Sequence, residues 1–226
     1  MKPDWREADE PLRKITITGS ELNEMVEITG SAKGLHCIGI GTDAAAFTYD
    51  GTPGYAYKVY SDLALPKKEI EKQVYERLAG IPFFPKFYGE GEHYLVISYE
   101  EGPTLHECLT SGIPVPEQVI RDVEEARTLV RSRGLNPRDI HLKNVLLQNG
   151  RAKILDVSEY VRDGDDKRWE HLVWAYRLFY PSVEGSKVPA WVLDSIKKGY
   201  NRLDQANGSI EEFAQRISQL FSKFMK

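Results

Sequence analysis

The sequence predicts an α+β chain, with strands concentrated in its first half and helices in its second. Three observations carry that reading. Short apolar runs separated by Gly and Pro crowd residues 34–100. Longer segments with apolar residues at helical spacing fill most of residues 101–226. Between those segments, "NVLLQNGRAKILD" joins two apolar runs through Asn149-Gly150, a pair suited to a type I′ hairpin turn.

Residues 1–33 read as a polar N-terminal extension, in which Thr18 and Glu21 have capping-box spacing before "LNEMVEI" and predict a short helix. Strands are expected in "GLHCIGIG", "AAAFTYDG" and "YAYKVY". A helix follows in "LPKKEIEKQVYERLAG", with Pro66 near its start and Gly80 at its end. "PKFYGEG" and "HYLVISYE" complete the strand-rich unit, 34–100. In the remainder, 101–226, Val119, Val123, Ala126 and Val130 share one helical face. Trp169, Leu172, Val173, Tyr176, Phe179 and Tyr180 repeat at helical spacing, as do Ile210, Phe213, Ala214, Ile217, Leu220, Phe221 and Phe224.

Composition narrows the function. A length of 226 residues suits one domain or two small units, and 41% hydrophobic with 28% charged residues is ordinary for a globular chain. A net charge of −4 argues against a broad nucleic-acid surface, leaving room for a local basic groove. Two cysteines, Cys37 and Cys108, are too few for a disulfide framework or a Cys-rich zinc site, and read as inert buried thiols. No apolar run approaches a membrane span, and the polar, acidic start is unlike a signal peptide. A cytoplasmic location is expected.

The chemistry concentrates around the hairpin. Asp139 and Asn144 lie in the loop entering its first strand, and Asp156 ends its second. A tight hairpin sets Asn144 beside Asp156, a pair of oxygen donors for a hard cation such as Mg²⁺. Asp139 would project into the same cleft, where a free carboxylate could orient a hydroxyl and take its proton. The alternative for Asp139 is a turn cap paired to Arg138 or Arg133. In the strand-rich unit, Gly39 and Gly41 fall in a turn whose backbone N–H groups could approach phosphates. Lys58 follows amid aromatic and apolar residues and needs an anion, unless it is a solubilising edge-strand lysine. Glu71 supplies one. It interrupts the stripe of Val74, Tyr75 and Leu78, which favours it over Glu69 and Glu76 on the same helix.

The order of Gly turn, strand Lys, helix Glu, Asp-x4-Asn and a further strand-end Asp resembles the protein-kinase fold over residues 34–180. The resemblance implies a bilobal fold, with a strand-rich small lobe and a reduced helical large lobe. It implies ATP and Mg²⁺, with Lys58 on nucleotide phosphates, Glu71 positioning Lys58, Asp139 as catalytic base, and Asn144 and Asp156 as metal ligands. "YLVISYEEG" is similar to the kinase hinge, with Ile97 at the gate of the adenine pocket and the backbones of Ser98 and Glu100 reading the adenine edge. The implied acceptor is a Ser or Thr hydroxyl of a protein partner; a small alcohol, or a nucleotide-binding scaffold without catalysis, is the alternative.

The departures are specific. His-Arg-Asp becomes Pro137-Arg138-Asp139, and His141 stands where typical protein kinases carry Lys. Asp-x-His is similar to aminoglycoside and choline kinases; His141 either packs the loop or touches phosphate. Ala44 replaces the third loop glycine, and Asp-Phe-Gly becomes Asp156-Val157-Ser158. The interval from Asp156 to Asp165/Asp166 leaves no room for an extended activation segment. The chain therefore looks like a minimal bacterial Ser/Thr kinase, RIO-like or lipopolysaccharide-kinase-like. Asp165 or Asp166 is expected to hydrogen-bond the loop of Asp139, and Arg138 to pair with a local carboxylate.

Overall fold

The computed structural model describes residues 3–22, 24–164 and 166–206. The described residues form three antiparallel sheets and six α-helices. A 3₁₀ turn, Trp5–Ala8, runs into α1 (Asp9–Leu12), followed by the hairpin of β1 (Ile15–Thr18) and β2 (Glu27–Gly30). The helix expected after Thr18 is therefore absent, and Thr18 instead closes a strand. "ITIT" alternates buried and exposed β-branched residues, which fits a pleated surface better than a helix.

Strands β3 (Leu35–Ile40), β4 (Ala44–Tyr49), β5 (Tyr55–Tyr60), β6 (Phe87–Glu90) and β7 (Tyr94–Ser98) form a five-stranded sheet in the order β3-β4-β5-β7-β6. Alternation along β5 sorts its side chains between two faces. Tyr55, Tyr57 and Val59 join Phe47, Tyr94 and Val96 in a core closed by Ala8, Leu12, Ile15, Ile17 and Val26. The N-terminal segment thus covers one face of the sheet, and the Tyr57 hydroxyl donates to the Trp5 carbonyl at 3.0 Å.

The other face carries Lys58 and Tyr60 toward α2 (Leu65–Arg77). Val74, Tyr75 and Leu78 pack there with Ala44, Tyr60 and Leu95. That core continues into α3 (Leu105–Ser111), α4 (Glu117–Ser132), the hairpin β8 (Val145–Gln148) and β9 (Arg151–Ile154), α5 (Arg168–Phe179) and α6 (Ala190–Ala206). Val119, Val123, Ala126 and Val130 are all fully buried on α4. Asn149 and Gly150 take φ of 52° and 78°, the left-handed pair that a type I′ turn requires. The reciprocal capping box occurs at α3, between Thr104 and Glu107. The stripe from Ile210 to Phe224 lies outside the described residues. Cys108 is buried, whereas Cys37 is exposed, because it lies on β3, the edge strand of the sheet, and not in the core.

Candidate active site

Lys58 and Glu71 meet between β5 and α2. The ammonium donates to both carboxylate oxygens, at 2.7 and 2.8 Å, and Glu71 is buried to 1% exposure. Tyr60, two residues along the same strand face, donates to Glu71 Oε2 at 2.7 Å. Burial pushes the Glu71 carboxyl above its usual range against the pull of Lys58. Burial opposes the Lys58 charge too, but Asp156 and Glu71 outweigh it and hold the ammonium protonated. Burial likewise raises the Tyr60 phenol, so Tyr60 remains a donor.

The hairpin delivers the second cluster. The Leu155 amide donates to the Asn144 carbonyl at 2.8 Å, setting Asp156 beside Asn144 across the strand ends. Asp156 Oδ1 lies 3.6 Å from Lys58 Nζ and accepts the Ser158 amide at 3.0 Å. Burial disfavours its charge, yet Lys58 and Ser158 lower its carboxyl below the usual range. Tyr75 donates to the Leu155 carbonyl at 3.0 Å, tying α2 to this strand end.

Asn144 faces the loop of Asp139. Its Oδ1 accepts the His141 amide at 2.9 Å, and its Nδ2 donates to the Asp139 carbonyl at 2.5 Å. Asp139 takes φ of 53°, a left-handed backbone for a residue with a Cβ, which costs about 1 kcal/mol or more. Two contacts hold it there: Asn144 on its carbonyl, and Asp166 Oδ2 on its amide at 2.6 Å. The Asp139 carboxylate ion-pairs through Oδ1 with Arg168, and His141 Nε2 stands 3.9 Å from the same oxygen. Burial sets the Asp139 carboxyl above the ordinary aspartate range despite His141 and Arg168.

These contacts settle where the unusual carboxylates find their counter-charges. Asp156 is compensated by Lys58, and Asp139 by Arg168 rather than Arg138 or Arg133. Arg138 donates to the Asp163 carbonyl at 2.5 Å, so among the described residues it pins backbone and not a carboxylate. Asp165 lies outside the described residues.

One of the two glycines departs from expectation. Gly39 belongs to β3 at a β-bulge, and only Gly41 enters the turn, where its amide donates to Ala44 at 2.9 Å. The bulge falls between Cys37 and Gly39, and beyond it Gly39 pairs with Ala46 inside the sheet. The Gly41 carbonyl accepts the Val26 amide at 2.9 Å, bracing the turn with the N-terminal segment. Ile97 is half-buried and pairs with Ala56 on β5 and Phe87 on β6. The Ser98 hydroxyl donates to Glu100 Oε1 at 2.5 Å, and Glu100 Oε2 accepts Gln148 Nε2 at 3.3 Å. Both side chains are thus engaged within the protein, tying this connecting segment to the hairpin.

Tyr60 and Arg168 were not singled out from sequence. Tyr60 had a usable signal, the two-residue strand period that places it on the face of Lys58. Arg168 had none, because its partner is 29 residues away along the chain.

Among the described residues no group of three or more His, Cys, Asp or Glu side chains is arranged to hold a metal ion. The available donors are the Asp156 carboxylate, 45% exposed, and the second lone pair of Asn144 Oδ1. That sparse oxygen set fits Mg²⁺, which takes one or two protein ligands and fills its shell with water and phosphate oxygens. No helix among the described residues is long and apolar enough to cross a membrane.

No protein-family model matches the chain. Over 171 residues it is 33% identical to a Bacillus subtilis (strain 168) protein named "Putative serine/threonine-protein kinase YrzF", covering 74% of this chain and 80% of that one. Over 126 residues it is 28% identical to "Probable serine/threonine-protein kinase fnkB" of Dictyostelium discoideum, covering 52% of this chain and 21% of that protein.

Proposed function

The chain belongs to the protein-kinase-like family, and on that premise we propose that it transfers the γ-phosphoryl group of Mg²⁺-ATP to a Ser or Thr hydroxyl of a protein. The reading places residues 34–100 as a small lobe, 101–226 as a large lobe, and 1–33 as an extension packed on the small one. It assigns the enzyme to the cytoplasm.

One observation carries the reading. Lys58, Glu71 and Asp156 form a continuous chain of contacts from the sheet to the hairpin, with Asp139 and Asn144 joined to the same hairpin. Lys58 would hold the α- and β-phosphates, and Glu71 fixes its direction. Asn144 and Asp156 would hold the Mg²⁺ of the nucleotide, which when bound spreads positive charge over the β- and γ-phosphates. Asp139 Oδ1 is engaged by Arg168, while Oδ2 accepts no hydrogen bond among the described residues. That oxygen can orient the acceptor hydroxyl and take its proton as the oxygen attacks phosphorus and the bond to ADP breaks. Catalysis of this kind rests on positioning and charge neutralisation. The main chain of Ser98 and Glu100 reads the adenine edge, with Ile97 at its gate and the turn of Gly41 over the phosphates.

A second reading directs the phosphoryl group to a small alcohol. The short segment between β9 and α5, together with His141 two residues after Asp139, favours it. Labelled ATP offered to casein-like proteins and to a panel of sugars and lipid headgroups separates the two acceptors. Asp139→Asn should abolish transfer while nucleotide affinity stays within about threefold. Full activity in that variant would remove Asp139 from its assigned role.

A further inference from the structure

The N-terminal segment presses on the strand that clamps α2. Strand β6 is an edge of the five-stranded sheet, paired only with β7 among the described residues, and its register shifts between Phe87 and Gly89. A bulged edge strand is hydrogen-bonded on one side alone, so packing against its two faces has to fix its position. Those faces belong to different cores. Gly89 pairs with Val96, which joins the core under the N-terminal segment. Glu90 pairs with Leu95, which joins the core shared with α2.

Trp5 covers the first face. Its 3₁₀ turn is capped by Asp4, whose side chain accepts the Arg6 amide at 3.1 Å. The Trp5 carbonyl accepts the fully buried Tyr57 hydroxyl at 3.0 Å, which ties the turn to the middle of the sheet. From that fixed backbone the indole packs directly on Gly89. A Cβ on Gly89 would lie 2.7 Å from Trp5 Cζ2, and its three nearest neighbours would all be atoms of the indole. Only glycine permits so close an approach of ring to backbone.

Glu90 works on the second face. Its Oε2 accepts Lys68 at 2.8 Å and its Oε1 binds Lys72, the residues three before and one after Glu71. Glu71 in turn holds Lys58 at 2.7 and 2.8 Å. A continuous series of contacts therefore runs from Trp5 through Gly89 and Glu90 to α2 and the Lys58–Glu71 pair.

We propose that Trp5 is a positioning residue for the Lys58–Glu71 pair, acting through Gly89 and Glu90. The inference rests on the protein-kinase reading above and adds the N-terminal segment to the support of its nucleotide site. Removing the indole lets β6 move into the vacated space and draws Glu90 away from the two lysines. The helix that carries Glu71 then loses its polar anchor.

The test titrates Mg²⁺-ATP into the full chain and its variants, because contiguity alone does not establish coupling. Trp5→Ala should weaken affinity about three- to tenfold, and Trp5→Phe, which keeps a ring, should recover part of the loss. Trp5→Ala should cost less than about twofold more in the Glu90→Gln background, since both act on one route. Gly89→Ala should weaken affinity about three- to tenfold by displacing the indole, and less than about twofold once Trp5→Ala has opened the space. Tyr55→Phe is the control. It removes the 3.2 Å bond to the Pro3 carbonyl and so loosens the same segment away from Gly89, and affinity should stay within about twofold. Unchanged affinity in both Trp5→Ala and Gly89→Ala would overturn the proposal. So would an equal loss in Tyr55→Phe, or full multiplication of the Trp5→Ala and Glu90→Gln factors. Should Trp5→Ala fail to fold, unchanged affinity in Gly89→Ala overturns it instead. A wild type that binds no Mg²⁺-ATP would refute the protein-kinase reading, and urea unfolding of Trp5→Phe, Glu71→Gln and their double variant then decides the positioning role. A double-variant unfolding constant at least about twofold away from the product of the single changes supports it, and agreement with that product overturns it.

Discussion

Replacing Glu90 by Gln should loosen Glu71 from a distance. Four residues of α2 are buried, Lys68, Glu71, Val74 and Tyr75, and two of them are charged. Apolar packing alone therefore fixes this helix weakly, and polar contacts have to set its placement. Glu90 on β6 accepts Lys68 at 2.8 Å through Oε2 and binds Lys72 through Oε1. These lysines flank Glu71, three residues before it and one after, and Lys68 is only 5% exposed. Hydrogen bonds from Lys68 and Lys72 hold the Glu90 carboxyl below its usual range.

Glu90→Gln keeps the volume but turns an amide group toward a buried ammonium whose other carboxylate partner among the described residues is Glu69. A buried pair broken on one side costs about 3–5 kcal/mol. Glu90 is one-third exposed, so solvent screening reduces the expected loss to about 1–2 kcal/mol. Urea unfolding of Glu90→Gln, Glu71→Gln and the double variant measures whether the effect passes through Glu71. A coupling of at least about 0.5 kcal/mol is expected, with Mg²⁺-ATP affinity reduced about three- to tenfold in Glu90→Gln. Additivity within about 0.3 kcal/mol, together with unchanged nucleotide affinity, would show that Glu90 does not position the pair.

Two further consequences concern the hairpin and its connection to the sheet. Asp122 on α4 is fully buried and accepts Arg151 at 2.7 and 2.9 Å, Gln118 at 2.8 Å and the Ala152 amide at 2.9 Å. Burial opposes its charge, but Arg151, Gln118 and Ala152 prevail and lower its carboxyl. A depressed folded value gives stability that is complete above the unfolded value, about 3.9, and is lost as pH falls through the folded one. Asp122→Asn should cost about 2–3 kcal/mol at pH 7 in urea unfolding, with the difference from wild type shrinking below about pH 3.5; equal differences at both pH values would refute it. Gly102, two residues after Glu100, has φ of 136°, and a Cβ there would lie 2.4 Å from the Leu147 carbonyl oxygen. Gly102→Ala should lower stability by more than about 2 kcal/mol, whereas Gly39→Ala, whose Cβ would meet only Ala46 at 4.0 Å, should cost under about 1 kcal/mol; equal thermal shifts would contradict the geometry.

Much of this arrangement is legible because it is local. Two-residue alternation places Lys58 on the α2 face, the apolar Tyr75 and Leu78 four and seven residues beyond single out Glu71, and Asn149-Gly150 folds Asn144 back beside Asp156. Elements dictated by distant partners are not legible in the same way. The Glu90 clamp, the Asp122–Arg151 pair and the contact of Arg168 with Asp139 join residues 18 to 29 positions apart with no periodic signal. Short motifs also deceive when their context is ignored. Thr18-x-x-Glu21 and Thr104-x-x-Glu107 share one spacing, yet only the second precedes an apolar helical face, with Leu105 and Cys108 buried. Gly39 shows the same limit, since it pairs with Ala46 beyond a bulge in β3, which the glycine pattern does not reveal.

Titration of ATP with and without Mg²⁺ probes the central claim, that a sheet lysine and two hairpin-end oxygens form one nucleotide–metal site. Wild type should bind ATP at least about tenfold more tightly with Mg²⁺, Lys58→Met should weaken binding in both conditions, and Asp156→Asn should erase the Mg²⁺ advantage. Wild-type affinity indifferent to Mg²⁺, or an undiminished Mg²⁺ advantage in Asp156→Asn, would contradict it.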